Sequence, residues 1–142
     1  MNAKDKLIKT AVAVMRNSYS PYSRYKVGAA AQGASGKIYA GTNVENASYG
    51  LTVCAERIAV FSAVAAGERG IKAIAIAVAP PRAAKAKADP VPCGACRQVL
   101  EEFSKPDMPI YTASVVNGKA VSVIARTLGD YYPYPFGPEA LD

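Results

Sequence analysis

The chain has 142 residues, 51% of them apolar and 20% charged, a composition that suits one globular domain with its own core and excludes a disordered segment. It contains no histidine, which excludes His-based acid–base chemistry, His metal ligands and every Ser-His or Cys-His nucleophile. A formal charge of +6 permits an anionic partner, but the basic residues are scattered, no apolar run reaches the roughly 18–20 residues of a membrane span, and Met1–Lys6 leads into no apolar signal core, so a cytoplasmic protein away from membranes is expected.

The first segment reads as an amphipathic helix, with Leu7, Ile8, Ala11, Val12, Val14 and Met15 at helical spacing. Ser18 to Ser23 contains Pro21 and reads as a loop. Lys26–Gln32 and Lys37–Asn43 are expected strands, joined as a hairpin by Gly33-Ala34-Ser35-Gly36. Gly41 to Thr52 is polar and irregular. Cys54–Ala66 reads as an Ala-rich helix with Ile58, Phe61 and Val64 or Ala65 at helical spacing, ended by Gly67. Ile71–Ala79 is a continuous apolar run, as in a strand covered on both faces. The stretch from Pro80 and Pro81 to Pro90 carries the tightest basic group, Arg82, Lys85 and Lys87, and reads as a solvated loop. Gly94–Phe103 is an expected helix with Val99, Leu100 and Phe103 facing inward. Ile110–Val116 and Lys119–Ile124 are strands whose Asn117-Gly118 turn forces an antiparallel pair. The tail, Tyr131 to Asp142, is expected to form an ordered arm or cap. This order predicts an α/β fold of three layers, α/β/α, around a mixed five-stranded sheet whose last two strands form an antiparallel hairpin.

Cysteine carries the chemistry. Cys54, Cys93 and Cys96 are odd in number and do not describe a disulfide framework. The C-x-x-C pair alone leaves a redox couple, buried bystanders and metal ligands open. Its neighbours are more informative. Thr52–Arg57 and Val91–Gln98 each lie where a loop enters a predicted helix. Pro92 blocks helix extension upstream, and Cys93 and Cys96 share one face of the first turn. Cys54 and Glu56 can lean the same way only at a helix start, where unpaired N–H groups and a partial positive charge favour thiolates. Three thiolates can hold Zn²⁺ and leave one position free. No fourth Cys or His is present to close the site, so closure by the Glu56 carboxylate is the structural-zinc alternative. Zinc with three thiolates sums to −1. Two helix N-termini return roughly +1, and Arg57 and Arg97 can balance charge by donating to the sulfurs, with surface salt bridges as their alternative. Zinc lowers the pKa of bound water from about 15.7 toward neutrality, and an uncoordinated Glu56 can take that proton and pass it on. Cys54-Ala55-Glu56 followed by Pro92-Cys93-Gly94-Ala95-Cys96 matches the zinc deaminase signature, with Cys as the variant first ligand.

From about Ser20 to Leu141 the sequence resembles the small three-cysteine cytidine deaminases. The match is densest at Ser20-Pro21-Tyr22-Ser23, Val27-Gly28-Ala29-Ala30, Gly41 to Glu56, Pro92 to Leu100 and Phe136-Gly137-Pro138-Glu139. The resemblance implies a single deaminase-like domain over 1–142, Zn²⁺ held by Cys54, Cys93 and Cys96, and Glu56 as proton shuttle. It implies hydrolytic deamination of cytidine and deoxycytidine to uridine and deoxyuridine with release of ammonia, in pyrimidine salvage. Asn43 and Glu45 match the pair that grips the ribose hydroxyls, and an amide and a carboxylate suit vicinal alcohols; shaping a turn is the alternative for the asparagine. Ala55 is a further substrate contact by resemblance. Tyr25 stands where the family usually has a Phe packing on the pyrimidine. Phe136 matches an aromatic that reaches a neighbouring subunit's site. A homotetramer is implied, with residues 131–142 as an arm at a subunit interface and a nucleoside, not a nucleic acid, as partner. The sequence departs from the family pattern at Lys26, which replaces a Pro, and at Val91, which replaces a Ser or Thr whose carbonyl alone is needed. It departs again at the aromatic run Tyr131–Pro135, which bears on the ceiling of the pocket. Rival readings are a deaminase of a modified aminopyrimidine nucleoside such as blasticidin S, or a polynucleotide-editing deaminase, against which the Asn117-Gly118 hairpin argues. A non-catalytic zinc module on nucleic acid leaves Glu56 and the missing fourth ligand unexplained.

Overall fold

A computed structural model of the chain describes residues 1–80 and 89–142. The basic group Arg82, Lys85 and Lys87 lies outside the described residues. Asn2 caps α1 (Ala3–Val14) by accepting the Asp5 N–H at 2.8 Å, and the helix buries Leu7 and Ala11. The strands β1 (Lys26–Gly33) and β2 (Ile38–Thr42) follow, then α2 (Ala55–Ala65), β3 (Ile71–Ala79) and α3 (Gly94–Phe103). The chain continues through β4 (Pro109–Val116), β5 (Lys119–Thr127) and the short α4 (Leu128–Tyr131). β5 runs past the expected Ile124 because Ala125, Arg126 and Thr127 still pair with Tyr111, Ile110 and Pro109.

The sheet is open and mixed, in the order β2-β1-β3-β4-β5. β1 is antiparallel to both β2 and β3, β3 and β4 are parallel, and β4 and β5 are antiparallel. The parallel pair needs a crossover, which α3 supplies. The hairpin turn has both Asn117 (φ 51°) and Gly118 (φ 76°) left-handed, the backbone that matches strand twist in a two-residue loop. Alternation along the central strands sorts the layers. Ala30, Ala73, Ala75 and Ala77 pack with Leu7, Ala11 and Met15 on the α1 face. Ala29, Ala31, Ile74, Ile76 and Val78 pack with α2 and with Leu100 of α3 on the other. The three-layer arrangement is therefore as expected.

One helix face is not. The buried residues of α2 are Ala55, Glu56, Ala59, Val60 and Ala63, while Phe61 is 48% exposed and Ala65 is exposed. The reason is close approach. A Cβ on Gly41 of β2 would lie 2.5 Å from the Ala59 nitrogen and 2.8 Å from the Ala55 carbonyl oxygen, so the helix backbone rests on the strand. Only small side chains fit that seam; Phe61 turns outward, while Ile58 is half-buried and Val64 packs at the edge of the core. The inward set of α3 is closer to expectation: Leu100 is fully buried, with Val99 and Phe103 packed against the core.

Glu68, just after α2, is buried and ties the β1–β2 turn to this layer. Its carboxylate accepts from the Ser35 hydroxyl, from the Ser35 N–H at 3.1 Å and from the Tyr39 hydroxyl at 2.8 Å. The Ser35 hydroxyl first, then the Ser35 N–H and Tyr39, hold this carboxyl below its ordinary pKa of 4.5. A pKa lower in the folded than in the unfolded chain contributes stability that is fully present above the unfolded value and is lost as pH falls through the folded one. Urea midpoints measured from pH 7 downward should therefore drop in the acid range for the native chain. Glu68→Gln should be less stable at pH 7 and show a shallower acid decline.

Candidate metal centre and pocket

The N-termini of α2 and α3 converge at the carboxyl end of β3, where open α/β sheets bind ligands. Cys54 is the N-cap of α2 and Cys93 the N-cap of α3, and neither sulfur makes a capping bond to its own helix. Cys96 sits in the first turn of α3 and is fully buried. Cys93 Sγ lies 3.7 Å from Cys54 Sγ and 3.4 Å from Cys96 Sγ, and all three sulfurs fall within 4.8 Å of one another. No pair is at bonding distance, and all three cysteines are free. Tetrahedral Zn–S bonds of about 2.3 Å set sulfurs roughly 3.8 Å apart. The trio is close to that spacing, and three clustered sulfurs fit a cation better than a two-thiol redox couple.

The electrostatics point the same way. Cys54 is brought down to about 5, first by the Cys96 thiol and further by Arg57, against the opposing effect of burial. Cys96 is pushed up, by its hydrogen bond to Cys54 first and then by burial. Glu56, 5% exposed, is pushed up to about 7 by burial and then by the negative charge of Cys54. Three sulfurs and a carboxyl share one small volume, and a divalent cation on the sulfurs would relieve their competition for protons.

Arg57 donates from Nη2 to Cys54 Sγ at 3.6 Å. Arg97 does not follow. Its Nε donates to the Pro92 carbonyl and its Nη1 to the Tyr131 carbonyl, both at 2.8 Å, and its guanidinium lies 5.3 Å from the Tyr131 ring centre. The expected bond from Arg97 to a sulfur is corrected: two carbonyls and an aromatic ring hold it instead.

A pocket of about 200 Å³ opens onto this cluster, and Tyr25, Asn43, Cys54, Glu56, Val91 and Cys93 are among its walls. Asn43 is buried and largely used by the scaffold. Its Oδ1 accepts from Val27 N–H at 3.0 Å and from the Ser18 hydroxyl, and its Nδ2 donates to the Tyr25 carbonyl at 2.7 Å. One amide hydrogen is left. Glu45 is not among the walls. Its carboxylate accepts from the Tyr22 and Ser23 N–H groups, at 2.9 and 3.1 Å, and from the Ser23 hydroxyl. Ala55 is fully buried in the first turn of α2, where its N–H has no intrahelical partner. Phe136 is 56% exposed and lies apart from the sulfurs, with its backbone fixed to Gln98 and Tyr132. Tyr131 and Tyr132 turn toward α3 and do not roof the pocket, whose remaining walls include Ile76, Val78 and Pro90. Sequence reasoning missed those three: Ile76 and Val78 carry only the signal of a buried strand, and Pro90 only its place two residues before the Pro92-Cys93 helix start. A larger open groove of about 590 Å³, between Arg69, Phe103 and Lys105, contains none of the sulfurs or Glu56.

An open α/β sheet that brings three cysteine sulfurs together at two helix N-termini, beside a buried carboxyl, defines a zinc protein of the α/β class. The chain belongs to the cytidine and deoxycytidylate deaminase zinc-binding region family, which matches it over residues 1–112. It is 40% identical over 124 residues to a cytidine deaminase from Sporosarcina psychrophila, covering 87% of each chain. Against a cytidine deaminase from Halalkalibacterium halodurans it is 45% identical over 109 residues, covering 77% of this chain and 78% of the other. The crystal structure of cytidine deaminase from Burkholderia pseudomallei superimposes with a TM-score of 0.82 at 41% identity, covering 96% of this chain and all of that one.

Since a zinc site contributes its binding energy to the folded state, Cys93→Ala should lower bound zinc well below one per chain. Added zinc should raise the Tm of the native chain and not that of the variant. Elemental analysis beside a thermal melt measures both, and full zinc occupancy in Cys93→Ala would contradict the ligand set.

Proposed function

We propose that this protein is a cytidine deaminase that hydrolyses cytidine and deoxycytidine to uridine and deoxyuridine, releasing ammonia. The observation that carries the reading is Glu56, a buried carboxyl set beside three clustered sulfurs in a pocket that also presents Tyr25 and Asn43. Zinc on Cys54, Cys93 and Cys96 would supply the Lewis acidity that lets water ionise near neutral pH. Glu56 then accepts the water proton on a carboxyl oxygen and returns it to the departing amine. Its burial disfavours a lasting anion, so the carboxyl can hold that proton between the two transfers.

The Tyr25 ring packs on the pyrimidine, the Val91 carbonyl accepts from the amino group, and Ala55 offers its unpaired N–H. Asn43 and Glu45 take the ribose hydroxyls with their remaining hydrogen-bonding capacity. Among the described walls of the pocket none is Lys or Arg, which supports a nucleoside over a nucleotide. The protein works in the cytoplasm in pyrimidine salvage and assembles as a homotetramer. In that assembly residues 131–142 lie at a subunit interface and the exposed Phe136 ring enters a neighbour's site.

Loss of cytosine absorbance on mixing with cytidine tests the activity. Glu56→Gln should keep zinc and lose about 10²- to 10⁴-fold in kcat, the usual range for a general acid–base. Equal turnover by the two proteins would refute the proton role. Glu45→Ala should raise KM for cytidine but leave that for 2′,3′-dideoxycytidine nearly unchanged. An equal rise for both nucleosides would mean that Glu45 only holds the Tyr22–Ser23 loop.

A further inference from the structure

One set of side chains connects the C-terminal region to the wall of the pocket. The Tyr131 ring is 8% exposed and has two guanidinium groups in cation–π range, Arg97 at 5.3 Å and Arg126 at 5.7 Å. Arg126 also donates from Nη1 to the Tyr131 hydroxyl at 3.1 Å and to Asp89 Oδ2 at 2.7 Å. Arg97 donates to the Tyr131 carbonyl and to the Pro92 carbonyl. Asp89 and Pro92 are the two ends of the segment that leads into Cys93. Between them stand Pro90 and Val91, both walls of the pocket.

This segment has no ladder or helix to hold it. Its one backbone bond among the described residues, Val91 N–H to the Asp89 carbonyl at 2.9 Å, is internal. Among the described residues, the bonds that fix it to the rest of the fold are the Asp89–Arg126 ion pair at one end and the Arg97 bond to Pro92 at the other. Both lead to Tyr131. The Asp89 and Arg126 side chains are 36% and 37% exposed, so their pair adds little to global stability, and its effect is local.

We infer that Tyr131, through Arg126 and Arg97, is a positioning element that sets the Pro90–Val91 wall and the Cys93 ligand against Glu56. The part that concerns substrate rests on the deaminase reading; the part that concerns Cys93 does not. Arg97 thus serves the metal centre by holding the backbone that presents a sulfur.

The test uses the full-length zinc-loaded protein. Arg126→Ala and Asp89→Asn should each raise KM for cytidine about three- to fivefold, the most a half-exposed ion pair contributes. Their kcat and Tm should stay near native, Arg126→Lys should recover most of the loss, and the double variant should be no worse than either single one. Arg97→Ala should release zinc faster than the native chain to a chromogenic chelator. Should it fail to fold, Arg97→Lys, which keeps the charge and loses the two-pronged fork, should show the same acceleration. Unchanged KM in both ion-pair variants, or a KM rise that tracks a fall in Tm without rescue by lysine, overturns the wall role. Native zinc release in the Arg97 variants overturns the Cys93 role. If the native protein neither binds nor converts cytidine, the deaminase reading has failed, and zinc release still decides the positioning of Cys93.

Discussion

Three cysteine sulfurs, each a metal ligand only as its thiolate, lie within 4.8 Å of one another. Two unit charges about 4 Å apart at an effective dielectric near 20 repel by about 4 kcal/mol, so a trio of thiolates cannot persist without positive charge close by. The fold supplies it from two helix N-termini and from the Arg57 guanidinium at 3.6 Å, and a divalent cation completes the balance. Much of the rest of the structure can be understood as what brings those two helix ends to one point.

The approach of α2 is governed by small residues. Gly41 gives the helix backbone a place to rest on β2, and Ala55, Ala59 and Ala63 line the seam. A larger side chain at any of these places would lift the N-terminus that carries Cys54 and Glu56 away from α3. The same depth of packing buries Glu56 and raises its proton affinity. Packing and proton chemistry are thus one constraint at this site.

The approach of α3 is governed by polar contacts from the far end of the chain. Arg97 and Gln98, side by side on the first turns of the helix, bind the C-terminal segment through the Tyr131 carbonyl, the Tyr132 hydroxyl and the Phe136 carbonyl. The aromatic tail is therefore tied into the layer that holds two of the three sulfurs. The Phe136 backbone is fixed by these bonds while the residue stays 56% exposed.

Local features carried far in the sequence. Helical and strand periodicity placed the main elements, Asn117-Gly118 set an antiparallel end to the sheet, and cysteines beside helix starts announced a metal centre with a carboxyl nearby. These depend on interactions between residues close along the chain, which spacing records. The inward face of α2 was not legible, because alanine carries a weak apolar signal beside Ile58 and Phe61, and only the proximity of Gly41 selects it. Nor were the partners of Arg97, since a long cationic side chain takes whichever carbonyls lie within reach, and one of them is 34 residues away. Glu45 likewise found its donors in a distant loop, 22 and 23 residues back. By itself the sequence determined which groups carry the chemistry; tertiary structure decided which of them face the pocket and which hold its walls, because burial and hydrogen-bond choice depend on what packing brings within a few ångströms.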